Sequence, residues 1–343
     1  NLTGAGANQF FLMALAGPIN VANANPLSNG DYATLRDAFD AINAQGQAGY
    51  NIVVTVNGST VETASATLNA GAWTSLVLYP TAAGYCITGN LANPLVNLNG
   101  ADNVIIDGSI GGVGTSRDLT FSNTNINGST IQFIADATLN NIINCIIQGR
   151  TTVNTSGVVV FSTGTTSGND NNTINNCNIT QITSTPIAAI YSAGTSTAVD
   201  NSGISITNCD IQDYFNAFNP SNGIYIFSNS SGWTISDNKF FQTSPRTTTA
   251  NNTHRIINII TASGGGYIIN SNTIGFNSSA SLPGTYTVYG GSANRLMCIE
   301  MTVNNITPSE IQVNTIGVIQ LTQTTGGARA FSGISVLSGT VNI

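Results

Sequence analysis

The chain has 343 residues, of which 41% are hydrophobic and only 7% charged, and it carries a net charge of −7 with eight Lys plus Arg. So few cations leave no basic stripe for nucleic acid or an anionic membrane, and no apolar run approaches the roughly 20 residues that span a bilayer. The same balance disfavours a polyanionic polysaccharide unless Ca²⁺ bridges it, and no other cofactor is expected. Polarity comes from Asn, Thr, Ser and Gly, and the combination of high hydrophobicity with low charge is not that of a disordered chain.

Residues 1–28 are rich in Gly, Ala and Asn around one apolar island at 10–15. The island is short and lacks a basic flank, which makes it a poor signal peptide; the chain reads as processed or as cut from something longer. Its expected role is to cover the open end of the fold, or to pair with another subunit by strand addition. Next comes the one convincing helix, at 32–44. Asn29 or Asp31 is available as its N-cap, Leu35, Ala38, Phe39 and Ile42 form an apolar stripe, and Arg36 and Asp40 make an i,i+4 pair. Short strand patterns follow at 52–56, 75–79, 95–98 and 104–106, separated by turn signals such as Asn57-Gly58 and Asn99-Gly100.

From there a six-residue phrase, Ile-x-x-(Cys/Asn)-x-(Ile/Phe), recurs. It runs from Ile142 to Ile147, Ile174 to Ile179, Ile206 to Ile211, Ile235 to Phe240, Ile269 to Ile274 and Ile311 to Ile316, with a degenerate first copy from Ile105 to Ile110. Its fourth position is Cys145, Cys177, Cys209, Asn238, Asn272 and Asn314, in steps of 32, 32, 29, 34 and 42 residues. A near-constant period with variable insertions is the pattern of a solenoid with one unit per repeat. The fifth position runs from Ile146 through Asp210 to Lys239, so it faces solvent and its neighbours face inward. Because the first Ile lies three residues before the Cys or Asn, alternation breaks and the chain must bend between them.

Stacked coils then make an all-β parallel β-helix with an N-terminal capping helix. The residues from Cys145 to Asn314 form an internal ladder in which Asn side chains bond to the coils above and below. Equivalent atoms on adjacent coils lie about 4.8 Å apart, but three Cys in a ladder cannot all pair, and small buried thiols are the plain reading. Residues 1–48 are the N-terminal segment and cap, and 49–343 the β-helix. Each repeat adds further strands, as at 130–134, 157–161, 187–191 and 223–227, and insertions fall at 242–253 and 276–295. The segment 331–343 opens another coil without a polar cap, so more residues or a partner are expected beyond it.

Asp31-Tyr32-Ala33-Thr34-Leu35 opening 31–43, Leu78-Tyr79-Pro80-Thr81 opening 78–84 and Leu98-Asn99-Gly100-Ala101-Asp102 opening 98–108 carry a family likeness. Over about 28–343 the chain resembles right-handed parallel β-helix repeat proteins of the pectin-lyase-like class, especially large secreted surface proteins exported by type IX secretion. The resemblance implies the right hand of the helix and an extracellular, cell-surface location. The C-terminal sorting domain usual in that group is not present in this sequence. The fold hosts lyases, hydrolases and adhesins alike, so activity must be argued from a site.

The nearest approach to a catalytic set is Asp210, Asp213, Asp237 and Lys239, with Arg246, His254 and Arg255 on the following loop. Asp210 and Lys239 share the outward column one coil apart, which reads as a surface ion pair of at most about 1 kcal/mol. His254 is expected to be an exposed loop residue, and with a single His and inward Cys no transition-metal site is expected. Tyr214, Trp233 and Tyr286, among aromatics that include Phe218, Tyr225 and Tyr289, are candidates for stacking on sugar rings, with core packing as the alternative. These readings favour a secreted structural or adhesive module that self-associates, forms fibres or sits within a larger surface protein. The alternatives are a polysaccharide lyase or hydrolase and a non-catalytic carbohydrate-binding module.

Overall fold

A computed structural model describes residues 17–280, 285–290, 293–323 and 330–343; the apolar island at 10–15 lies outside them. Each full coil contributes one strand to each of three long sheets, of twelve, nine and nine strands, which are parallel except where Ile19–Ala22 and Gly30–Tyr32 extend the first sheet antiparallel. In the repeat phrase the first Ile lies in the first sheet, where Ile142, Ile174, Ile206, Ile235, Ile269 and Ile311 are successive register partners. The last residue lies in the second sheet, where Ile147, Ile179, Ile211, Phe240, Ile274 and Ile316 are partners. One phrase therefore spans a corner.

The corner is made by the residue just before the ladder position. Asn144, Asn176, Asn208, Asp237, Ser271 and Val313 all have φ between 50° and 59°, the left-handed region that Asn and Asp tolerate and a β-branched side chain resists. Turning there aims the following Cys or Asn inward. One hydrophobic core runs from Ile19 to Ile311 and includes Leu35, Ala38, Phe39 and Ile42 of the helix.

Three details depart from the sequence reading. Ile142 pairs with Ile106, not Ile105: Val104 and Ile106 point inward, and a one-residue slip would exchange the two faces of the strand. That coil does not complete the phrase, because residues 108–118 leave as a loop and Leu119 takes the place beside Cys145; Ile110 is exposed. The helix spans Leu35–Asn43 and is capped by Thr34, whose Oγ1 accepts the Asp37 N–H at 3.1 Å. The Leu35 and Arg36 N–H groups donate to the buried Glu62 carboxylate, each at 3.0 Å, so a charge sits on the positive helix end. Helix start at 32 is prevented because Gly30–Tyr32 forms a strand against Ile19–Ala22. The insertions after the second sheet are not plain loops: Arg246–Thr248, Tyr286–Gly290 and Ile319–Gln323 form a small parallel sheet of their own.

Candidate functional site

The acid–base candidates converge only in part: Asp210, Asp237 and Lys239 line one recess of about 300 Å³ with Arg117, and Asp213 and Arg255 are not part of it. Asp210 and Lys239 are register partners in the second sheet, but the expected ion pair between them is absent. Arg117, at the end of the 108–118 loop, reaches Asp210 at 2.5 Å. The same guanidinium donates to the Asn176 backbone oxygen at 2.8 Å and to its Oδ1 at 3.0 Å. Lys239 Nζ turns away and donates to the Ser279 carbonyl at 2.5 Å. Asp213 is buried at a corner, pairs with Arg246 at 2.5 Å and accepts the Thr243 N–H and hydroxyl at 2.9 and 2.7 Å. Arg255 is not in a loop; it lies in the strand Thr253–Ile260 and pairs with Glu300 at 2.5 Å. Asp210, Asp213, Lys239 and Arg255 thus have four separate sets of partners, and among the described residues no group of three His, Cys, Asp or Glu is placed to hold a metal ion.

The proposed sugar-stacking residues point the wrong way. Trp233 is fully buried, donates its indole N–H to the Asn201 carbonyl at 2.9 Å and meets Phe161 edge-on. Tyr214 and Tyr286 are also buried, and burial raises both phenols. Tyr214 follows Asp213, whose φ of 57° marks a left-handed corner. His254 is likewise not a loop residue but a buried member of a third-sheet strand.

Two aromatic side chains do reach solvent on the outer face of the third sheet, Phe227 and the partly exposed Tyr225, while Tyr191 beside them is only 5% exposed. Gln132, Val160, Tyr191, Tyr225 and Asn258 are successive register partners there. Tyr191 and Tyr225 meet edge to face with centroids 5.6 Å apart, as do Tyr225 and the half-exposed Phe227. Two recesses of about 280 and 340 Å³ share Thr155 and Tyr191 and so form one groove across several coils. Asn154 and Thr155 rise on one side, with Pro220 and Asn222 also lining it. Asn222 is held by the Asn258 amide at 3.0 Å. Amides and hydroxyls of Asn93, Asn127, Ser129 and Gln132 line the other half. No charged side chain lines either recess among the described residues.

Burial and the neighbouring Tyr225 push the Tyr191 phenol up to about 12, and burial raises Tyr225 against the opposing pull of Arg255. Both phenols are therefore protonated, able to donate, over the whole neutral range. Ring faces beside neutral donors and acceptors can hold an uncharged polar ligand with apolar faces, in the manner of small-molecule sites generally. Further along the same face the surface becomes charged, with Arg255, Arg295 and Glu300 around a recess of about 700 Å³.

Sequence reasoning missed Tyr191, Phe227 and Arg117. A signal existed for the first: stepping the third-sheet strands as the Ile phrase was stepped places Tyr191 beside Tyr225, 34 residues on.

No family model and no curated protein matches the chain. Among solved structures it is similar to PfbA, a surface adhesin of Streptococcus pneumoniae, with 12% identity over 82% of each chain and a TM-score of 0.32.

Proposed function

We propose that the chain is an extracellular, cell-surface β-helix module that works by adhesion, holding a neutral glycan in the groove of its third sheet without chemical turnover. The observation that carries this reading is the groove itself: Tyr191, Tyr225 and Phe227 beside an uncharged lining of amides and hydroxyls. Asp210, Asp213, Arg255 and Lys239, by contrast, are engaged in separate ion pairs or on a carbonyl. The rod would act within a longer surface protein or a fibre.

The test is retention on insoluble neutral polysaccharides (cellulose, chitin, mannan, starch), followed by calorimetric titration with oligosaccharides of whichever is retained. Tyr225→Ala removes a ring from the middle of the groove and is expected to weaken binding about tenfold, the equivalent of about 1.4 kcal/mol. No retention on any neutral glycan overturns the reading. Release of shortened products that is lost in Lys239→Ala or Arg255→Ala would establish the enzymatic alternative instead.

A further inference from the structure

His254 is the chain's sole histidine and lies directly behind one part of the groove. Its Nδ1 is 2.6 Å from Ser221 Oγ, its ring stacks on Phe215 with centroids 4.8 Å apart, and the residue is 3% exposed. Its Nε2 is buried without a hydrogen-bond partner. Ser221 sits between Pro220 and Asn222, both of which line the groove. Phe215 is tied to the chain on its other side: its N–H donates to Pro186 O at 2.8 Å and its carbonyl accepts the Thr185 hydroxyl at 2.6 Å, next to Ile187 of the groove. The imidazole is thus wedged between two segments that shape the groove. Ser221 is itself buried, which removes it as a nucleophile.

A neutral ring satisfies this place with one hydrogen bond, in whichever tautomer. A protonated ring has two N–H donors, one of them facing packing that offers no acceptor, and a charge that no carboxylate neutralises. The charged groups on the elements packed against it are Arg255 on its own strand, Arg295 and Glu300 on Arg295–Thr302, and Asp213 near Phe215. Glu300 is paired with Arg255 and Asp213 with Arg246. Tyr214, Tyr225 and Cys298 on the same elements are all raised by burial and stay neutral.

We infer that protonation of His254 opens the Pro220 to Asn222 wall of the groove, so that acid loosens the site proposed above to hold a glycan. Burial, reinforced by Arg255, lowers this imidazole from 6.5 to about 4. The folded value is the lower one, so the closed wall has its full advantage above about pH 6.5 and loses it as the pH falls toward 4. Relative to pH 8, the open population rises by about 30-fold at pH 5 for values of 6.5 open and 4 closed.

The inference rests on the groove reading for its purpose, but its test needs no ligand. Hydrogen exchange of the full chain is followed between pH 8 and pH 5, corrected for intrinsic rates, with an NMR titration of the single histidine ring. The expected result is increased opening confined to 213–228 and 253–260, absent at 141–149, with the ring titrating below 5. In His254→Gln the pH dependence of opening is expected to vanish. A ring that titrates near 6.5, an unchanged response in His254→Gln, or loosening spread evenly over the coils would overturn it. The wild-type titration decides the matter even where the variant does not fold. A wall that opens on a protein retaining no neutral glycan at pH 8 refutes the adhesive reading alone.

Discussion

Replacing Asn272 measures what the internal ladder contributes. This fully buried amide makes four hydrogen bonds: Nδ2 donates to Ile235 O at 2.8 Å and to Asn314 Oδ1 at 2.9 Å, while Oδ1 accepts from Asn238 N and Nδ2, both at 3.1 Å. Asn272→Leu keeps the branched shape but is larger, leaves the Asn238 N–H buried without a partner and removes one of the donors to the Ile235 carbonyl, which keeps its ladder bond to the next coil. At about 1–3 kcal/mol for the orphaned N–H and a similar cost for overpacking by the larger side chain, less the gain from burying apolar surface, the net loss is about 3 kcal/mol. Asn272→Cys should cost far less, about 1 kcal/mol. In the earlier coils a thiol already plays both parts: Cys209 Sγ accepts the Cys177 N–H at 3.4 Å and donates toward Ile174 O at 3.6 Å. Urea unfolding, with exchange protection at the Asn238 amide as a local readout, gives both values. A Leu variant within about 1 kcal/mol of wild type, or a Cys variant as damaged as the Leu variant, would refute the reasoning.

Two further outcomes follow from the same coils. Val313 is 83% exposed and holds φ 56° at the corner where other coils place Asn, so Val313→Asn should raise stability by about 1 kcal/mol; a melting temperature that does not rise contradicts this. Of the five thiols, only Cys86 is partly exposed, while burial raises Cys177 and Cys209 and pushes Cys298 up to about 12. Ellman's reagent at pH 8 should therefore titrate one thiol per native chain and five after denaturation.

Much of the architecture was legible because it repeats. The Ile columns, the bend ahead of Cys145 and its successors, and the apolar stripe of the helix each follow from a local period. What escaped the sequence was set by distant residues. The start of the helix at Leu35 depends on a strand pairing with Ile19–Ala22, and the partner of Asp210 depends on a loop that brings Arg117 across 93 residues. Trp233 and Tyr214 stand beside corners, where alternation gives no indication of inside or outside. Tyr191 and Tyr225 were in plain view as residues, but their adjacency is a matter of third-sheet register, which has no Ile phrase to mark it.

The Arg117 loop alters how stability is distributed along the rod. A solenoid held only by adjacent coils loses them one by one, each at the strength of a single interface. Here a side chain leaving one coil clasps Asn176 two coils on and Asp210 three coils on, and Asn176 in turn donates to the Thr115 carbonyl of the same loop. Four coils are thereby joined by a term that is not between nearest neighbours. Under load these coils yield together or not at all, and exchange data showing them opening singly would contradict that coupling. The clasp makes this stretch a clamp in the rod, a place where unravelling from either side is halted.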